Sequence, residues 1–524
     1  MKAVRVRRRQ GHAPTAWLAA IIALLGVSGC ATFRSYNEEL DRTLTMAASG
    51  NLDTAVKTLE RLHYGEDKDL LYYLEMGELE RLRGGFAASQ SAWLDADTQV
   101  RAWEEVARTD PARVSRTALS YILNDKVRPY EGHDYEKVML TTRMAMNHLA
   151  QGEWDNARVA IKRTHEREAV IAQVRARELQ DIEAEARKRG VQATSKDLGG
   201  YPVQTVDNPE VNALRNSYQS AFSHYLAGFV YEALGEPSLA AAGYRQAIEL
   251  RPGLPLLEEG LAGLDQRMTA AEDGRSDVLL VVETSFAPAR VSRHFNLPIP
   301  INGRWVLVPV SFPVMQSDAA DFAPATIHLD DTETLTPTVV TSIDVMARRA
   351  LADEMPGLAL RAAVRATAKA TAQYQAQRAA EKRRRKGDAN AAKALDGAAI
   401  ALAIGAAATE SADERTWRSL PGRIHLARTR LSRGPHTLAI DTPDGTQRIE
   451  AEIDGRHALI ALRLIRGKLF ALLPQAPRAP AASASPSTAG TLFEKATISD
   501  APDLLPSVSE AVVEPQSHAK EYVQ

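Results

Sequence analysis

A chain of 524 residues, 45% hydrophobic and 25% charged, is long enough for two or three domains and apolar enough to bury real cores. With 64 Lys+Arg against 66 Asp+Glu its formal net charge is −2, which argues against nucleic acid as a partner. One cysteine excludes a disulfide framework, and 6% aromatic residues with abundant alanine favour close-packed helices.

The chain opens on a basic cluster, Lys2, Arg5, Arg7, Arg8 and Arg9, followed by an apolar run from Ala16 to Val27. That run is shorter than the roughly 20 residues a membrane-crossing helix needs, so it reads as a secretory signal, residues 1–29. The run ends in Val27-Ser28-Gly29-Cys30, which resembles the lipobox of bacterial lipoproteins. The resemblance implies cleavage before Cys30, a diacylglyceryl and acyl anchor on that residue, and a mature net charge near −7 once the five basic residues leave. Several buried acyl chains, at about 0.8 kcal/mol per methylene, make such an anchor effectively permanent. Ala31 stands where an aspartate would mark inner-membrane retention in the family, so the implied place is the outer membrane, facing the periplasm. An ordinary signal peptide with a chance cysteine is the alternative.

Next comes a pattern with a 34-residue period. Gly50-x-Leu52-x-x-Ala55-x-x-x-Leu59 returns as Gly84-x-Phe86-x-x-Ser89-x-x-x-Trp93 and, two periods on, as Gly152-x-Trp154-x-x-Ala157-x-x-x-Ile161. Gly235-x-Pro237-x-x-Ala240-x-x-x-Tyr244 is a fourth copy. Each glycine suits the positive φ of a turn between two helices, and the following residues share one helical face. Small residues Gly77, Ala145 and Gly228 mark where a neighbouring helix crosses closely. This resembles the tetratricopeptide repeat and implies an N-terminal α-solenoid over residues 30–274, with the first helix of each pair lining a groove for a protein partner. The groove positions are Leu71, Leu74, Glu78 and Arg81, then Met139, Thr142 and Met146, then Phe222, Tyr225 and Phe229. The alternative is that the long charged helix expected over Glu166–Arg189 fills the groove and makes these residues core.

At Asp277 the pattern changes to short β-branched runs: Val278–Val282, Trp305–Val310 and Ala325–Leu329. Residues from about 342 to 412 read as a helical insertion, broken near Pro356 and basic at Lys382–Lys386. Strand signals resume after Pro421, with turns at Asp444-Gly445 and Asp454-Gly455. The expected fold class is therefore α+β, a repeat solenoid followed by a small β-sandwich-like domain over 277–472, with two separate β modules as the alternative. The Ala-, Pro- and Ser-rich tail from 473 to 524 reads as disordered.

Several stretches together resemble a proteobacterial family of tetratricopeptide-containing lipoproteins without an assigned activity. They are Asn124–Glu136, Ala157-Arg158-Val159, Val282-Glu283 with Leu297-Pro298, and Ala412–Pro421. The resemblance covers most of 31–470 and implies a role in envelope biogenesis.

No catalytic, cofactor or metal signature is present in the sequence. His165-Glu166 lacks the second histidine of a zincin helix, because Ala169 stands in its place. His133, near Glu131 and Asp134, is a weaker metal candidate than a local cap. Glu104-Glu105 reads as a solvated face. Asp413-x-Arg415-x-Trp417 is either a ligand site or, more simply, an ion pair beside a core tryptophan. The leading expectation is an interaction scaffold with an envelope protein in its groove. The alternatives are a cell-wall-acting enzyme and a structural subunit of a secretion or surface-polymer system.

Overall fold

The computed structural model describes residues 36–63, 68–110, 129–189, 199–301, 304–319, 322–330, 332–387 and 411–473. The signal segment, Cys30, Ala31, the tail beyond 473 and the small apolar stretch at 397–408 lie outside them.

The described chain is α+β. Helices α1 (Tyr36–Ala48), α2 (Leu52–Leu62), α3 (Leu70–Leu82), α4 (Phe86–Thr109), α5 (Asp134–Ala150) and α6 (Trp154–Arg189) come first. After a short α7 (Pro209–Ala213) follow α8 (Ala221–Ala233), α9 (Pro237–Leu250), α10 (Pro255–Ala262) and α11 (Leu264–Thr269). Four helix hairpins, α1–α2, α3–α4, α5–α6 and α8–α9, turn at Gly50, Gly84, Gly152 and Gly235, with φ of 84, 79, 73 and 76°. The large residue of each motif packs where the neighbouring helix is small. A Cβ on Gly77 would lie 2.2 Å from the Trp93 indole, and one on Gly228 2.6 Å from the Tyr244 ring. The charged helix after the third glycine is not a separate element, because α6 runs unbroken for 36 residues. Among the described residues no helix is long and apolar enough to cross a membrane.

Strands β1 (Arg275–Thr284), β2 (Ala289–Ile301), β3 (Arg304–Gln316), β4 (Ile327–Leu329), β5 (Glu333–Leu335) and β6 (Thr338–Ser342) precede α12 (Ile343–Arg385). After it come β7 (Arg423–Ser432), β8 (Gly434–Thr442), β9 (Gly445–Ile453), β10 (His457–Ile465) and β11 (Lys468–Ala471). One sheet has the order β11-β10-β1-β7-β6 and another β5-β4-β8-β9, so both draw strands from either side of α12. β1 is central, parallel to β10 and antiparallel to β7. Val278, Leu280 and Val282 face an apolar cluster shared with Ile327, Leu438 and Ile453 of the second sheet. Leu279 and Val281 face the opposite way, into the cluster that holds Leu74, Phe229 and Trp417. Burial on both faces is why β1 reads as a continuous rather than an alternating apolar run.

β2 and β3 form a two-stranded ribbon, 13 residues each, packed against α12. Its register pairs Asn296 with Pro309 and Ser292 with Pro313, and puts Pro298 and Pro300 in the same phase. Outward groups at that phase are used: Gly199 N–H donates to the Asn296 carbonyl (3.4 Å), Tyr201 to that of Pro313 (3.2 Å) and Asn37 to that of Arg290 (2.7 Å). The four prolines therefore sit where the backbone nitrogen points away from the partner strand and no ladder donor is missed.

α12 is continuous through Pro356, against the expected break. Met355 and Leu358 on either side are 5% and 7% exposed, and this anchoring holds the helix across the one hydrogen bond proline removes.

Candidate functional site

The residues expected to line a partner groove are all buried, none more than 2% exposed. The chain's own five-stranded sheet lies against them. Arg143 on α5 bridges Glu78 on α3 and Glu283 on β1, donating Nε to Glu78 (3.1 Å) and Nη2 to Glu283 (3.1 Å), with further short contacts to both. Arg81 donates to Asn147 (2.9 Å), which donates to Ser89 (2.9 Å). Arg463 on β10 donates to the carbonyls of Ser285 and Ser419 at 2.6 and 3.0 Å. At the other end Arg428 on β7 lies over Phe229 (5.1 Å), the His457 ring packs edge-on to Phe229 (5.6 Å), and Phe222 N–H donates to Thr341. The expectation of a groove open at Leu74, Glu78, Arg81, Met146, Phe222, Tyr225 and Phe229 is thus corrected. Sheet charges matched to those of the helix hairpins fill that face from inside the same chain.

Burial shapes the titration of this layer. It lowers Arg81 and Arg463 to about 10, helped by the neighbouring Arg143 charge. Burial also pushes Glu283 upward, but Arg143, Arg81 and Arg463 outweigh it and hold that carboxyl below its ordinary value. Among the described residues Glu75 on α3 has no such cation. It accepts the backbone N–H groups of Arg418 (2.8 Å) and Ser419 (3.1 Å) and the Tyr36 hydroxyl (3.1 Å), and burial still raises it to about 7.

A concavity remains elsewhere. A cleft of about 550 Å³ is walled by α4, α6 and α12 and floored by the segment before α5, Arg290 and Asp413. Its apolar wall includes Trp103, Val174, Leu179 and Ile182, with Leu179 49% exposed. On the floor His133 caps α5, its backbone N–H donating to Glu136 (2.9 Å). Its ring Nδ1 lies 3.0 Å from Glu354 on α12, and Nε2 lies 3.2 Å from the Arg415 carbonyl. Arg290 donates to the other Glu354 oxygen (2.8 Å) and to the Asp413 carbonyl (2.9 Å). Burial would lower His133, but the Glu354 and Glu136 charges win and raise it. Burial would raise Glu354, but Arg290 and His133 hold it well below the carboxylate range. Both imidazole nitrogens lie within hydrogen-bond reach of acceptors, the Glu354 carboxylate and the Arg415 carbonyl.

Two stretches singled out in the sequence interlock here. Glu136 accepts from the Thr416 hydroxyl (2.9 Å) and the Trp417 N–H (2.7 Å). Asp413 and Arg415 form an ion pair at 2.8 Å, Arg415 lies over Tyr130, and Trp417 is fully buried against Trp93. His165 stacks on His224 at 5.0 Å. Glu104 is not solvated: it is 7% exposed and pairs with Arg167 at 2.5 Å, because α6 folds back along α4. Arg290, Glu354, Arg143 and Glu75 had no signal in the sequence beyond being charges among apolar neighbours.

Glu232, Asp277 and His457 bring three ligand-type atoms within 4.8 Å of one another. Arg428 already donates to both carboxylates (3.0 and 2.6 Å), and Arg267 to Glu232 (2.6 Å). A cation there would have to displace two guanidinium groups, so the donor set fits a salt-bridge network better than a metal.

Compared with models of known protein families, with curated proteins and with solved structures, the chain matches none.

Proposed function

We propose that the mature protein is an outer-membrane lipoprotein anchored through Cys30 and facing the periplasm, and that it is a non-enzymatic interaction scaffold of cell-envelope biogenesis in the tetratricopeptide lipoprotein class. The four glycine-turned hairpins are read as tetratricopeptide-like units of a solenoid, and the two facing sheets as a small β-sandwich. Place rests on Val27-Ser28-Gly29-Cys30 and Ala31. The interaction reading is carried by the cleft at His133 and Glu354. It offers an apolar wall and a charged floor in a volume suited to recognition, and its one imidazole is already spent on two acceptors. With the inner face of the repeats filled by the sheet, the envelope partner is assigned to this cleft. A photo-crosslinking side chain at Leu179, in cells making the acylated full chain, should capture an envelope protein. The same probe at Leu94, exposed but outside the cleft, should not. Identical capture profiles at the two positions would remove the reading.

A second reading, an enzyme acting on the cell wall, draws on His133, Glu354 and Asp413 meeting in one cleft. It requires that purified protein release fragments from peptidoglycan and that Glu354→Gln abolish the release.

A further inference from the structure

α12 changes character along its length. Ile343, Met346, Leu351, Met355, Ala362 and Ala366 are rooted in the main apolar cluster, and among the described residues of α12 none beyond Ala366 belongs to it. The remaining 19 residues, Thr367–Arg385, span about 28 Å at the α-helical rise. Their described side chains are exposed apart from Ala380. The end of this arm carries Arg378, Lys382, Arg383, Arg384, Arg385 and Lys386, all exposed, against the single acid Glu381. That is a net +5 within nine residues, and it leaves −7 on the rest of the chain. One or two cations near the final carbonyls answer the helix dipole. Five in succession go beyond that, and their segregation in the sequence from an acidic body is what a polyanionic surface would recognise.

We propose that the end of α12 is a docking surface for a phosphate-bearing lipid headgroup layer. The choice of lipid rests on the anchoring reading, which tethers the chain beside a bilayer. The charge distribution sets the approach: an anionic surface repels the body and attracts the tip. Each cation near such a surface contributes about fivefold in partitioning. A tether at the N-terminus would keep the arm at high effective concentration over the same membrane.

The test uses the full mature chain with Cys30→Ser, so that no acyl chain contributes, and co-sedimentation with phosphatidylglycerol-containing or pure phosphatidylcholine vesicles. Binding to the anionic vesicles at low salt, weakened by added salt, is expected, with little binding to the zwitterionic ones. Replacing Lys382, Arg383, Arg384, Arg385 and Lys386 by glutamine keeps helix-forming residues and should lower anionic-vesicle binding at least about 100-fold. Far-UV dichroism and thermal unfolding unchanged in that variant separate lost docking from lost folding. Equal binding to both vesicles, undiminished binding of the glutamine variant, or preference for a DNA oligonucleotide over anionic vesicles would overturn the proposal. Mass spectrometry of the native protein tests the anchor separately, so an unmodified Cys30 with intact vesicle binding removes the anchor and leaves the arm.

Discussion

Glu75 joins α3 to the Trp417–Leu420 segment through two backbone N–H groups, and it does so as a buried carboxyl with no cation paired to it among the described residues. Its folded value of about 7 lies above the unfolded value of 4.5. The folded state therefore binds the extra proton between those limits. Stability from this group is fully present below pH 4.5 and lost as pH rises through 7. The size is about 3 kcal/mol. Glu75→Gln carries no titrating proton, so the stability difference between wild type and variant, from urea unfolding, should change by this order between mildly acidic and mildly alkaline pH. A difference that stays constant across that window would show that Glu75 is already charged when folded. Arg143 presents the opposite case, a cation shared by two buried carboxylates. Arg143→Met removes the cation both carboxylates share, leaving Glu283 only the more distant Arg81 and Arg463 at 3.9 and 3.6 Å, and should cost about 3–5 kcal/mol. Adding Glu78→Gln and Glu283→Gln should recover most of it. Recovery absent from the triple variant would assign the loss to packing instead of charge.

At the scale of elements, the ribbon of β2 and β3 meets the hazard of an exposed edge with proline. Pro298 and Pro300 occupy the outward-facing phase that Gly199 and Asn37 use further along the strand. Replacing both by valine restores two outward N–H donors on an apolar strand. The expected result is concentration-dependent self-association by analytical ultracentrifugation, with the monomer's dichroism unchanged; a strictly monomeric variant would show that something other than proline guards this edge. The same prolines explain what the sequence conceals. Helix hairpins were legible because their signals are local: a glycine at positive φ, then small and large residues on one helical face. β1 was legible as an apolar run. β2 was not, because four prolines in the ribbon argue against strand unless their phase is known. Pro356 misled for a related reason, since its cost is local while the anchoring by Met355 and Leu358 is tertiary. The cleft was half legible. His133, Asp413 and Arg415 stood out as polar groups at junctions, but Glu354 is 221 residues from His133 and nothing in an alanine-rich helix announces the pairing.

The whole molecule follows from one placement: β1 is sandwiched between a second sheet and the inner face of the helix hairpins. The described residues consequently form one compact unit, although the sequence changes from helical to strand character near residue 275. A fragment of residues 275–473 would expose Leu279, Val281, Ile424, Leu426 and Ala461, now buried on the helices. It would also strand Glu283 without Arg143, on the same face. At roughly 25 cal/mol per Å² of apolar surface, several such side chains amount to a sizeable share of the 5–15 kcal/mol that holds an ordinary domain together. The isolated β half should therefore fail to fold cooperatively, giving no sharp denaturant transition and poorly dispersed amide resonances. Co-expression with residues 31–274 should rescue it as a stable complex, because the missing face is supplied in trans. A well-dispersed spectrum from the fragment alone would mean that the sheet tolerates exposure of its helix-facing side, and the inner face of the helix hairpins could then open to a partner after all.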